Sequence, residues 1–257
     1  MSLSNPLRRI WEAGGAALNG WIALPSPLAA EAMARASWDS LTIDLQHGTA
    51  DYADLLALLP VIEKAGIAPL VRVPWLDEAA IMRALDAGAL GIIAPMIQTA
   101  ADAQRLVDAC LYPPRGARSF GPIRARLAHG GDYTVAAANT EILAFAMVET
   151  RAAVANLDAI LQVPGLGGIY IGPADLALSH GFTPGFDRTE PEMLALLDHI
   201  RTRCEAAGLP CCLHCGQPAY AAGMAARGFS LLTVGSDARF IEAAANAAVA
   251  DFRGKPG

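Results

Sequence analysis

Lysine is nearly absent from this chain: 257 residues contain only Lys64 and Lys255. Schiff-base catalysis needs a lysine amine in the site. Lys64 closes a surface helix pattern and Lys255 lies beside the C-terminus, so that chemistry is excluded. Long apolar runs are also missing, although 54% of the residues are hydrophobic. A membrane helix needs about 20 consecutive apolar residues, and none is expected here. At the start, Arg8 and Arg9 are followed by Glu12 and a glycine pair instead of an apolar signal core, so the chain reads as cytoplasmic. An excess of positive charge is lacking as well. Nineteen Lys plus Arg against twenty-five Asp plus Glu give a formal charge of −6, which argues against nucleic acid as a partner. Cysteine is scarce and odd in number, with Cys110, Cys204, Cys211, Cys212 and Cys215, so no disulfide framework is expected. Cys211-Cys212-x-x-Cys215 with His214 inside has the outline of a metal knuckle but lacks a second ligand pair, and buried strand cysteines are the better reading. Charged residues make up only 17%, which allows a sizeable core and points to further surface buried in an oligomer.

What is present is a regular alternation. Short Val/Ile/Leu-rich runs predict strands over residues 21–24, 41–45, 69–73, 90–94, 144–149, 168–172, 210–214 and 231–235. Segments of helical period fall near 27–36, 52–65, 77–87, 100–110, 151–161, 190–207, 217–227 and 237–251. Eight βα units in a chain of this length predict an α/β fold, a (β/α)8 TIM barrel, as one domain over residues 1–257. A doubly wound open sheet is the alternative, but no G-x-G-x-x-G follows the first strand. Asp77 and Asp237 are placed to cap helix starts, and Gly66, Gly88, Gly208 and Gly228 to close helices in the left-handed conformation. One long excursion, residues 111–140, carries Arg115, Arg118, Arg124 and Arg126, and a loop of that length is expected to serve function or a partner.

Barrel enzymes carry their reactive groups at the C-terminal ends of the strands. Those positions here hold Asp44-Leu45-Gln46-His47, Arg72, Glu149 and Gly172-Pro173-Ala174-Asp175, each after an apolar stretch with no local need for charge. Glu149 and Asp175 suit an octahedral Mg2+ or Mn2+ whose other positions stay open to substrate and water. Separately, Glu149 would pair with Arg151, and Asp175 would cap a turn. His47 has the intrinsic pKa of a general base near neutrality, with Asp44 close enough to orient groups around it. Arg72, in the apolar run Leu70-Val71-Arg72-Val73, needs an anionic partner, either Asp44 or a substrate oxyanion. His129, His180 and His199 are given no role, and His214 is an outside candidate. Gly216 and Gly235-Ser236 follow strands seven and eight, where barrel phosphate sites form, but that signal is weak.

The stretches IDLQHG at 43–48, VRVPW at 71–75, APM at 94–96, YPPRGARSFG at 112–121, VETR at 148–151 and IGPADLA at 171–177 resemble, in order, the HpcH/HpaI aldolases, the metal-dependent pyruvate aldolases. The resemblance implies a barrel assembled as a homo-hexamer with its last helix exchanged between subunits. It also implies reversible aldol addition of pyruvate or a related 2-oxo acid to an aldehyde, dependent on Mg2+ or Mn2+, with Co2+ as a further option. Residue by residue, it implies Glu149 and Asp175 as metal ligands, His47 as the base and Arg72 as the group facing the oxyanion. The amides of Ala174 and Asp175 would hold the substrate carboxylate. Asp86 would raise the basicity of the histidine, reaching it across a subunit interface. Met147 stands where the family commonly has glutamine, and Gln46 where it commonly has glutamate. A citrate-lyase-type enzyme acting on an acyl-coenzyme A, which would use a basic patch for the nucleotide, is the rival reading. A catalytically silent barrel used for assembly is the non-enzymatic one.

Overall fold

The computed structural model describes residues 3–254. Eight parallel strands close on themselves: β1 Ala17–Ile22, β2 Ser40–Asp44, β3 Ala68–Arg72, β4 Gly91–Ala94, β5 Leu143–Val148, β6 Gly168–Ile171, β7 Cys211–Cys215 and β8 Leu231–Val234. Closure is made by β1 against β8, with Ala17 opposite Leu231 and Asn19 opposite Thr233. The helices are α1 Pro6–Glu12, α2 Pro27–Ala34, α3 Tyr52–Lys64, α4 Glu78–Asp86, α5 Ala100–Cys110, α6 Ile123–His129, α7 Val135–Glu141, α8 Arg151–Ala155, α9 Leu157–Leu161, α10 Pro173–Ser179, α11 Pro191–Ala206, α12 Pro218–Ala226 and α13 Asp237–Phe252.

Side chains alternate across each strand, so one parity fills the barrel and the other meets the helices. Ala17 and Trp21, Ala68 and Leu70, Phe145 and Met147, Tyr170, Cys212 and Leu231 form the inner core. Leu41, Ile43, Val71, Val73, Ile92, Ile169 and Leu213 pack outward under the helices. The inward parity, continued upward, reaches Asp44, Arg72 and Glu149, which is why charged residues end otherwise apolar strands.

The first strand begins earlier than its apolar run. Asn19 and Gly20 interrupt that run, yet both belong to the strand: Asn19 is fully buried, and a Cβ on Gly20 would meet Leu41 Cδ2 at 2.6 Å. Helix α1 stands outside the repeat and plugs the lower end of the barrel, with Leu7 buried and Trp11 edge-on to Phe145 at 6.3 Å. The single helix expected over 151–161 is two, α8 and α9, meeting at Asn156, and α10 forms directly after β6. The excursion at 111–140 holds α6, α7 and a short 3-10 turn. Gly66, Gly88, Gly208 and Gly228 all take positive φ at helix ends. Asp77 caps α4, accepting from Ala80 N. Ser236, not Asp237, caps α13; Asp237 instead accepts from Ala23 N (2.8 Å) and Leu24 N (3.2 Å), pinning the loop after β1. All five cysteines are free and buried. No helix of the described residues is long and apolar enough to cross a membrane.

Candidate active site

A cavity of about 440 Å3 opens at the C-terminal ends of the strands, and Asp44, His47, Arg72, Ala174, Asp175 and His214 all line it. Asp44 is its organising anion. Arg72 donates to it from both Nε (2.8 Å) and Nη2 (2.7 Å), a fork geometry that fixes the guanidinium plane. The partner of Arg72 within the chain is thus Asp44, and the other face of the guanidinium lies 4.8 Å over the Trp21 ring. Trp21 Nε1 donates to the same carboxylate at 3.2 Å. Asp44 also accepts from the backbone amides of Gln46 (3.0 Å) and His47 (3.3 Å), which folds the turn that carries the exposed His47 imidazole. Burial opposes ionisation of Asp44, but Arg72 and these donors hold its carboxyl below the usual aspartate range.

Glu149 follows β5 and is 2% exposed. Its Oε1 accepts from Met96 N at 2.7 Å, and Met96 is the one non-glycine among the described residues with positive φ (57°). Such a conformation is costly and marks the loop after β4 as shaped for that hydrogen bond. On the other side, a Cβ on Gly172 would come within 2.4 Å of Glu149 Oε2, so only glycine leaves the carboxylate its place. Burial, and the nearby charge of Asp175, push the Glu149 carboxyl up to about 7 against the Met96 hydrogen bond and Arg72. Asp175 is exposed in the first turn of α10. Its helix has glycine at the cap, and no side chain occupies the first-turn amides of Ala174 and Asp175.

A buried carboxylate raised by a second carboxylate is relieved by a cation between them, so the pair fits a hard divalent ion that takes most of its ligands from water and substrate. Among the described residues no group of three or more His, Cys, Asp or Glu side chains is arranged to hold a metal ion by itself, which also leaves the cysteine knuckle unformed. Arg151 does not pair with Glu149: its Nε donates to Ser179 O.

The remaining expectations fall elsewhere. Asp86, at the end of α4, does not line the cavity; it accepts from Arg118 Nη2 at 2.6 Å, and the Arg118 side chain is fully buried. Arg115 donates to Asn139 O and Arg124 clasps Glu63, so three of the four arginines of the excursion serve the fold instead of forming an open patch for a nucleotide. Gly216 N already donates to Asp187 Oδ1 at 2.7 Å, which opposes a phosphate there. Met147 lines the cavity, and Gln46 Oε1 is buried without a partner. Sequence reasoning missed Trp21 and Met96, whose roles are a ring beneath an arginine and a backbone amide. Trp21 has no motif, and the APM stretch that ends at Met96 does not single out its amide.

A closed barrel whose mouth is lined by Asp44, His47, an anchored Arg72 and Asp175, with the Glu149 carboxylate against Gly172, has the arrangement of a barrel enzyme, and its relatives are carbon–carbon lyases. The chain belongs to the HpcH/HpaI aldolase/citrate lyase family, whose model matches residues 19–244. It is 44% identical to a hydroxypyruvate/pyruvate aldolase of Rhizorhabdus wittichii, over 97% of this chain and 99% of that one. It is 34% identical to a 2-keto-3-deoxy-L-rhamnonate aldolase of Klebsiella pneumoniae, over 98% and 94%. A family member from Burkholderia cenocepacia superposes with a TM-score of 0.89 at 29% identity, covering 97% of this chain and all of that one.

Proposed function

We propose that this protein is a metal-dependent aldolase that adds pyruvate, or a related 2-oxo acid such as hydroxypyruvate, to an aldehyde, and in reverse cleaves a 4-hydroxy-2-oxo acid. The observation that carries the reading is the buried Glu149 carboxylate, raised by burial and by the charge of Asp175 and set against Gly172 of a mouth that Asp175, His47 and the Asp44–Arg72 pair line. Glu149 and Asp175 would hold the ion, Mg2+, Mn2+ or Co2+. When bound, the ion supplies the Lewis acidity that makes the protons beside the substrate carbonyl removable.

The chain's own groups do the rest. The free amides of Ala174 and Asp175 take the substrate carboxylate at the start of α10. His47, exposed on the Asp44-ordered turn, removes the proton from the carbon beside the carbonyl and returns it to the alkoxide of the new carbon–carbon bond. Arg72, fixed by Asp44, faces the developing oxyanion without reorganising. Asp86 serves the histidine of a neighbouring subunit and raises its basicity.

The assembly is a homo-hexamer with α13 exchanged between subunits. Of the residues of α13 only Asp237 is buried, while Ile241, Val249 and Phe252 lie open, Phe252 at 92%. A helix that exposes such residues is made to be covered. Five free, buried thiols support a cytoplasmic setting.

Proton NMR of pyruvate in D2O tests the reading without knowledge of the aldehyde. Protein stripped with EDTA should leave the methyl signal intact, and Mg2+ or Mn2+ should make it exchange away. Glu149→Ala should abolish the exchange. Folded, assembled protein that exchanges nothing with either metal would sink the proposal.

A further inference from the structure

His214 lines the cavity, yet the reaction above gives it no work. It stands half-buried on β7, edge-on to Trp21 at 4.8 Å and stacked on Phe186 at 4.8 Å. Its Nδ1 lies 3.0 Å from Tyr170 Oη, which lies 2.6 Å from Thr233 Oγ1. These groups continue inside the barrel to Asn19.

The protons along this chain follow from one amide. One end of the Asn19 side chain faces the carbonyl oxygens of Ser40 (3.2 Å) and Gly20 (3.3 Å), which accept only, so that end is Nδ2, and Oδ1 accepts from Thr233 Oγ1 at 2.8 Å. A hydroxyl has one proton to give. Thr233 spends its own on Asn19 and therefore accepts from Tyr170; Tyr170 spends its own on Thr233 and therefore accepts from His214 Nδ1–H. A neutral imidazole carries a single proton, so Nε2 is left as a bare lone pair and is the ring atom available to the cavity. Burial and the Arg72 charge pull the His214 pKa down to about 3, so the ring stays neutral near neutrality and makes a poor base. The cationic side chains on the cavity wall, Arg72 and Arg239, can only donate, which leaves His214 Nε2 as a neutral acceptor among them.

We propose that His214 Nε2 accepts a hydrogen bond from a hydroxyl on the carbon next to the reacting carbonyl, and so makes the enzyme select hydroxylated substrates. Two sources carry this chemistry, a 3-hydroxy-2-oxo acid as donor or a 2-hydroxyaldehyde as acceptor. The inference rests on the aldolase reading above.

The test uses the assembled enzyme with Mn2+ and two ratios of kcat/KM. One compares hydroxypyruvate with pyruvate against a fixed aldehyde, and the other compares glycolaldehyde with acetaldehyde at fixed pyruvate. His214→Leu should lower one ratio about tenfold or more, since the hydroxyl then loses its buried partner, and the ratio that falls names the source. His214→Gln, whose side-chain oxygen also accepts, should keep that ratio within about threefold of the parent. Partial misfolding lowers both members of a ratio equally and does not mimic the effect. Both ratios unchanged in His214→Leu, or an equal loss in His214→Gln, would overturn the assignment. An unmodified enzyme that fails the methyl-exchange experiment would instead overturn the aldolase reading and this inference with it.

Discussion

At the residue scale, Glu149 is where burial bears most directly on the proposed ion. Its carboxyl is held up near 7 by burial and by Asp175, above the ordinary 4.5 that it regains in the unfolded chain. A raised carboxylate contributes stability while it is protonated in both states, below the unfolded value, and that contribution is lost as pH rises through the folded value. Without metal, this group therefore works against the fold at pH 8. A bound divalent ion removes the penalty, and a proton competes with the ion for the same oxygen. Titration calorimetry with Mn2+ should show the apparent affinity falling, towards about tenfold per pH unit, below 7 and levelling above pH 8, with about one proton released per ion well below 7 and none above pH 8. The Mn2+-induced rise in Tm should be larger at pH 8 than at pH 6. An affinity flat from pH 6 to 8 would remove Glu149 from the ligand set. Asp44 behaves oppositely: its carboxyl is lowered by Arg72, so its contribution is kept at neutral pH and lost only in acid.

At the scale of elements, strand parity and the loops above the strands divide the labour. Inward positions at the tops of β2, β3 and β7 present Asp44, Arg72 and His214, while the loop after β4 and the glycine before α10 shape the space for Glu149. Gly172→Ala puts this to the test. Its Cβ would meet both Glu149 Oε2 at 2.4 Å and Met147 Cε at 2.6 Å, so the carboxylate must move. The substitution should weaken Mn2+ binding tenfold or more and cost about 1–3 kcal/mol of stability, as overpacking does. Calorimetry and a thermal melt measure the two, and unchanged Mn2+ affinity would show that the ion does not depend on that oxygen.

The same division explains what could be read in advance. Asp44, Arg72, Glu149 and Asp175 stood out because charge at the end of an apolar strand has no other local cause; Asp44, Arg72 and Asp175 line one mouth with His47, and Glu149 lies buried against its Gly172. Asn19, Thr42, Thr233 and Tyr170 did not stand out. A polar side chain inside a strand reads as an interruption until closure of the barrel places it against another, as Asn19 is placed against Thr233. Helix α1 escaped because it lies outside the repeat, and Ser236 displaced Asp237 as a cap because that carboxylate is taken up by the amides after β1.

At the scale of the whole molecule, Asp86 is the residue whose proposed role depends on assembly. Within one subunit it is bound to Arg118, whose Nε and Nη1 are buried without partners. A purely structural Asp86 would serve only that arginine. If it instead completes the site of a neighbour, two inactive variants should restore each other when their subunits mix, because each supplies what the other lacks. Asp86→Asn keeps Glu149, and Glu149→Gln keeps Asp86. A mixed site is intact when its own subunit carries Asp86→Asn and the neighbour carries Glu149→Gln. Random equal mixing makes that about one site in four. Variants unfolded and refolded together should thus recover about a quarter of the parent's metal-dependent pyruvate exchange, while each refolded alone stays below a few per cent. Recovery no greater than the sum of the separate variants would confine Asp86 to its own subunit.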